Sequence, residues 1–105
     1  MSWAALIALL AEFFGPKFFE WLKKLFAKAA PKLGVFTGAP EATIRELFAA
    51  ARAETWWWQF GQRARLAVCE RIASKRAGEF FHAMREGLGA PVMLAHERAQ
   101  LDEVL

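Results

Sequence analysis

The chain has 105 residues, a hydrophobic fraction of 56% and a formal net charge of +3. This length fits one domain, and a chain this small cannot easily hide so much apolar surface alone, so the composition indicates a partner, an oligomer or a membrane surface. The single cysteine, Cys69, excludes an intramolecular disulfide, and the scarcity of Cys and His excludes a zinc-knuckle type of site.

The residue types favour helices throughout. Asn is absent, Asp occurs once and Ser twice, although these residues supply many of the turns of β-rich folds. The strong helix formers Ala, Leu, Glu, Arg and Lys are abundant, and β-branched residues are scattered along the chain. We therefore predict an all-α protein, with an amphipathic N-terminal helical hairpin or kinked helix, a long Ala/Arg-rich helix and a short C-terminal helix.

Two helical segments are predicted at the start of the chain. The first covers residues 2–14, with Ser2 as its N-cap, and Gly15 and Pro16 break or kink the chain after it. The second, residues 16–30, reads PKFFEWLKKLFAKAA, in which apolar residues recur with a period of 3.6 opposite a lysine-rich face.

A helix with Trp and Phe on one face and Lys on the other is typical of a membrane interface. The MSW start and the EWLKKLF stretch resemble small cationic membrane-active peptides of the leaderless bacteriocin type, which implies membrane contact for residues 1–30. The alternatives are packing on the rest of the chain and contact with another subunit. The predicted membrane- or partner-binding residues are Trp3, Phe13, Phe14, Lys17, Phe18, Phe19, Trp21, Leu22, Lys23, Lys24, Leu25, Phe26 and Lys28.

The first residues also bear on location. They lack the basic region of a secretory signal, and the apolar run from Trp3 to Ala11 is shorter than the ~20 residues that cross a bilayer. We expect neither a signal peptide nor a transmembrane span, and we expect a membrane-associated or assembly-bound protein more than one that is free in the cytosol.

The type of cation changes along the chain. Five of the six lysines precede residue 33, and every arginine follows residue 44. The change coincides with the Pro- and Gly-rich stretch PKLGVFTGAP. The predicted organisation is an apolar, cationic segment over 1–32, a linker over 33–39 and a helical oligomerisation or packing module over 40–105.

After Pro40, which suits a first helical position, helical composition continues without a proline to about residue 86. This stretch is predicted to be one long helix, or two or three shorter helices bent at Gly61 or Gly78. Gly87 is typical of a helix C-terminus, and a last short helix is predicted over roughly 91–104.

The run AETWWWQFGQR, residues 53–63, places three tryptophans together. On a helix they would fan over ~200°, which is wider than one core-facing stripe of ~100°. We therefore expect the N-terminal helices to cover one side of the run, and a neighbouring subunit or lipid to cover the other. The predicted interface residues are Trp56, Trp57, Trp58 and Phe60.

The densest basic stretch of the second module is RARLAVCERIASKR, residues 63–76. Clustered cations bind phosphates, and tryptophans stack on bases, so nucleic acid or an acidic partner is one interpretation. On a helix these cations spread around the axis, which favours a solvated surface. Cys69 falls on the apolar stripe of the same helix, a position typical of a buried, inert thiol. The candidate contact residues are Arg63, Arg65, Arg71, Lys75 and Arg76.

Catalysis has little support. Glu79 and His82 have the Glu-x-x-His spacing of di-iron bundles, but such sites need a second copy of the motif and further carboxylates. No glycine-rich phosphate loop follows a strand. We expect no catalytic residue, cofactor, metal or small-molecule substrate.

The sequence thus predicts a non-enzymatic structural or assembly protein that docks through aromatic amphipathic helices on a membrane surface or on neighbouring subunits. The expected partners are copies of the chain or a larger protein assembly, such as a virion or a membrane complex. Two alternatives are a nucleic-acid-binding accessory protein that uses residues 63–76 and the tryptophans, and a membrane-permeabilising protein that acts through residues 1–30.

Overall fold

The structure, a computed structural model, describes residues 2–34, 36 and 38–104, apart from the side chains of Lys17 and Phe18. The described residues form helices and no strand, which confirms the all-α prediction. The helices are α1 (Trp3–Phe14), α2 (Pro16–Ala29), a 3₁₀ turn (Ala30–Lys32), α3 (Pro40–Ala53), α4 (Phe60–Lys75), α5 (Ala77–Glu86) and α6 (Ala95–Asp102).

Of the two arrangements predicted for residues 41–86, the single long helix is wrong, and the structure has the alternative of three shorter helices. The chain leaves the helix at residues 54–59 and again at Arg76, where φ and ψ are −112° and 19°. Gly61 and Gly78 are not the points of bending, because each is the second residue of its own helix, α4 or α5. Their lack of a side chain lowers helix propensity without by itself ending a helix.

The two N-terminal helices lie side by side. Ser2 caps α1, since its hydroxyl oxygen accepts a hydrogen bond from the Ala5 N–H at 3.2 Å. Gly15, with φ +89°, separates the helices, and Pro16 begins α2. The Trp3 indole N–H donates to the carbonyl of Gly34. The beginning of α1 therefore lies beside the chain that leaves α2, and the two helices run in opposite directions.

The core is shared between the N-terminal helices and the rest of the chain. The ring of Phe26 in α2 meets that of Phe48 in α3 edge to face, with centroids 5.1 Å apart. Phe13 of α1 meets Phe80 of α5 in the same way, also at 5.1 Å. Buried residues on both sides of residues 33–39 belong to one cluster. The functional division at that linker stays a prediction.

The segment that follows α5 is held by Arg76. Its guanidinium donates to Glu79 at 2.6 Å, to the Val92 carbonyl at 2.6 Å and to Glu97 at 2.9 Å, and it lies 5.3 Å from the centre of the Phe13 ring. Glu97 is 5% exposed as a residue, and its carboxylate also accepts the Leu94 N–H, at the start of α6. One guanidinium therefore connects α1, α5 and the C-terminal segment.

A pair of glycine substitutions tests the helix ends. We expect Gly87→Ala to lower the free energy of unfolding by about 1 kcal/mol, because Gly87 ends α5 at φ +65°, a conformation that L side chains disfavour. Gly61→Ala should raise it by about 0.5 kcal/mol, because alanine has a higher helix propensity than glycine and its methyl group would find open space at this position. Urea unfolding measures both, and equal effects of the two substitutions would contradict the expectation.

Candidate functional site

Exposed apolar side chains concentrate in the connection between α3 and α4. The residues of this connection, together with Phe60 at the start of α4, are called the Trp loop below (residues 54–60). Four of the seven large exposed hydrophobic side chains of the described residues lie in it, with exposed fractions of 65% for Trp56, 73% for Trp57, 57% for Trp58 and 68% for Phe60. The expectation that the N-terminal helices cover one side of the run is therefore wrong, because the tryptophans occupy a loop and not the middle of a helix.

Polar side chains shape the Trp loop. The Thr55 hydroxyl donates to the Arg52 carbonyl at 2.7 Å, where α3 ends. The Gln59 N–H donates to the Trp56 carbonyl at 3.0 Å, and the Trp56 N–H donates to the Gln59 side-chain oxygen at 2.6 Å. This pair of bonds closes a four-residue turn with Trp57 and Trp58 at its two central positions. The loop thus holds its indoles in solvent in a defined conformation.

Two ion pairs hold the base of the loop. Lys32, in the turn that follows α2, pairs with Glu54 at the end of α3. Arg52 of α3 pairs with Glu70 of α4 at 3.2 Å. The α3 end of the loop is therefore connected both to the turn after α2 and to α4, which limits the further ordering that the loop needs before it binds a surface.

Cations without an ion-pair partner flank the loop. Lys24 and Lys28 are exposed on one face of α2, at a four-residue interval, and Lys32 at the loop base follows Lys28 by four residues in the turn after this helix. Arg63, half-buried, follows Phe60 by three residues on α4. Within residues 2–34, 36 and 38–104, no acidic side chain forms an ion pair with Lys24, Lys28 or Arg63. Positive charge therefore lies on α2, along the helix that leads to the loop base, and on α4, three residues after Phe60.

The other predicted docking residues have different environments. Trp3, Trp21 and Leu25 are half-buried, Lys23 is exposed, and the side chains of Lys17 and Phe18 lie outside the described residues. Five members of the set are buried in the core, which corrects the docking role predicted for them, because the apolar face of each helix packs against α3 and α5. They are Phe13, Phe14, Phe19, Leu22 and Phe26.

The predicted basic patch is not one surface. Arg65 donates to the Val104 carbonyl at 3.0 Å and lies 6.0 Å from the centre of the Trp21 ring, and Arg76 holds the C-terminal segment. Arg71 and Lys75 are exposed, and Arg63 lies beside the Trp loop. Two of the five cations are thus engaged inside the molecule.

Other reactive groups do not form a site in the described part of the chain. Cys69 is buried as predicted, and burial raises the pKa of its thiol. No three His, Cys, Asp or Glu side chains among these residues come together as metal ligands. None of the described helices has the length and apolar character that crossing a bilayer requires.

A groove of about 980 Å³ lies between α1, α2 and the residues that follow α2. Sequence reasoning missed it, because alanines produce no amphipathic pattern of their own. The small side chains that line it recur at positions 4, 8, 11, 27 and 30.

Comparisons of the chain with protein-family models, with curated proteins and with solved structures give no match.

Proposed function

We propose that the protein is a non-enzymatic docking protein that attaches to anionic membrane surfaces by inserting the Trp loop among the lipid head groups. The observation that carries the proposal is the exposure of Trp56, Trp57 and Trp58 on one closed turn, with exposed Phe60 directly after it at the start of α4. Indole rings concentrate at the boundary between hydrocarbon and water, where the ring is apolar and the N–H meets a polar group. The docking residues are thus those of the Trp loop, and not those of the N-terminal helices.

The apolar contribution is large for so short a segment. Transfer of one exposed indole from water to the interface contributes roughly 2 kcal/mol at 25 cal/mol per Å² of apolar surface. The hydrogen bonds between Trp56 and Gln59 already order the turn, so little of this energy is lost in ordering the loop on binding.

The electrostatic contribution favours anionic lipids. Each lysine or arginine near such a surface adds ~1 kcal/mol, and no acidic side chain of the described residues pairs with Lys24, Lys28 or Arg63 in competition with phosphate groups. Salt screens this contribution but leaves the insertion of the indoles almost unchanged. Binding should therefore weaken with added salt without disappearing.

The two alternatives have less support. A nucleic-acid site would need Arg65 and Arg76, which are engaged within the chain. Permeabilisation by residues 1–30 would need the aromatic face of α2, which packs on α3.

Vesicle flotation tests the proposal. The full chain is mixed with vesicles of phosphatidylglycerol and phosphatidylcholine, or of phosphatidylcholine alone, at low and high salt. We expect flotation with the anionic vesicles, weaker flotation with the neutral ones, a blue shift of indole emission and no release of vesicle contents. A protein that stays unbound in every mixture would sink the proposal. A dimer in light scattering without flotation would assign the loop to self-association instead.

A further inference from the structure

The groove between α1 and α2 has walls made of small apolar side chains. Its lining includes residues 4–11 of α1, a rise of about 10 Å at 1.5 Å per residue, and residues 23 and 27 of α2 with residue 30 in the turn that follows. The methyl groups of alanine leave open the space that larger side chains would fill. The alanines of the lining are Ala4, Ala8, Ala11, Ala27 and Ala30.

One end of the groove is an aromatic wall. The rings of Trp3 and Phe36 meet edge to face with centroids 4.6 Å apart, and both residues line the groove. The Trp3 indole N–H is satisfied by the Gly34 carbonyl, so it does not require a polar partner from a ligand. This end is suited to hydrocarbon.

The other end carries a positive charge. Because α1 and α2 run in opposite directions, Lys23 lies towards the Ala11 end of the groove, away from Trp3 and Phe36. Of the described residues that line the groove, Lys23 alone is charged, and it forms no ion pair with them or with the rest of the described chain. The Ser2 hydroxyl, also in the lining, caps α1.

We propose that this groove binds a single-chain amphiphile with an anionic head group, such as a fatty acid. The hydrocarbon chain lies along the alanines towards Trp3 and Phe36, and the carboxylate meets the Lys23 ammonium group. The volume falls in the range of about 300–1,000 Å³ that is typical of sites for one small molecule. Because Lys23 lies at one end of the groove, the head group of the ligand binds at that end and its hydrocarbon chain points to the other.

The groove is separate from the proposed docking surface. None of residues 54–60 lines it, so amphiphile binding goes beyond membrane docking and does not depend on it.

Calorimetric titration of the full chain with dodecanoate, below its micelle concentration, tests the proposal. We expect saturable binding of one molecule per chain, weaker binding of dodecanol and still weaker binding of dodecyltrimethylammonium. Lys23→Gln should weaken dodecanoate about fivefold, the effect of one exposed ion pair, and leave dodecanol unchanged. Lys24→Gln is the matched control, because Lys24 is equally exposed but does not line the groove.

A second pair of variants tests the position of the chain. Ala8→Phe fills the groove and should weaken dodecanoate at least tenfold, whereas Ala5→Phe, on an exposed part of α1 outside the lining, should not. Trp57→Ala should leave the affinity unchanged, which separates this site from the Trp loop. Equal binding of dodecanoate by the wild type and by Ala8→Phe would overturn the proposal. So would a wild-type dimer that Ala8→Phe converts to a monomer, because the groove would then hold a second copy.

Discussion

Arg76→Ala is expected to lower the free energy of unfolding by about 3 kcal/mol, the effect of removing one partner from a buried ion pair. The substitution leaves the carboxylate of Glu97, a residue that is 5% exposed, without its guanidinium donor. It also removes the donors to Glu79 and to the Val92 carbonyl and the contact with the Phe13 ring. Urea unfolding followed by circular dichroism measures the change.

Arg71→Ala is the matched control, because Arg71 is exposed and no ion pair of the described residues includes it. Its effect should stay within about 0.5 kcal/mol. An Arg76→Ala variant as stable as this control would contradict the role given to the guanidinium.

The bond between Arg76 and Glu79 also has a pH dependence. The hydrogen bond from Arg76 holds the pKa of the Glu79 carboxyl below its ordinary value of 4.5. A lowered folded-state pKa means that this contribution to stability is present above the unfolded pKa and is lost as the pH falls through the folded one. Because Glu79 is largely exposed, the loss in acid should be small.

Replacement of both tip residues, Trp57→Ala with Trp58→Ala, is expected to reduce partitioning onto anionic vesicles at least a hundredfold. Two indoles at roughly 2 kcal/mol each account for this factor. The free energy of unfolding should change by less than about 0.5 kcal/mol, because both rings are more than half exposed. Flotation at several lipid concentrations measures the partition coefficient.

Val92→Ala is the control for this loss, since Val92 is an exposed apolar residue outside the Trp loop. It should partition like the wild type. If the double variant still bound as tightly as Val92→Ala, insertion of the loop would be excluded, and Lys24 and Lys28 would be left as the membrane contact.

Several helix boundaries could be predicted from the sequence because they depend on local chemistry. Ser2, Gly15, Pro16 and Gly87 act through their own hydrogen bonds or their own φ angles, whatever packs around them. The break at residues 54–59 has no Gly or Pro. It depends on side-chain bonds of Thr55 and Gln59 that compete with helical ones, which propensity does not show.

Only part of the candidate site could be predicted. The amphipathic pattern of residues 16–30 correctly identified an apolar face, but such a pattern reports the presence of a face and not what covers it. The structure shows α3 on Phe26, where the sequence pattern was equally compatible with lipid. The sequence correctly indicated that three consecutive tryptophans on a helix would spread too widely to be covered by a single core-facing stripe. In the structure the run lies in a loop with its side chains in solvent.

The contact between Phe13 and Phe80 has a consequence for synthesis of the chain. A growing chain emerges from its N-terminus, so α1 and α2 leave the ribosome long before α5 exists. Until then Phe13 has no ring of α5 to pack on, and Phe26 has no ring to pack on until Phe48 has been synthesised. The aromatic face of α2 is therefore exposed on the nascent protein, where a chaperone or a membrane has access to it. In the folded protein the same face is covered by α3.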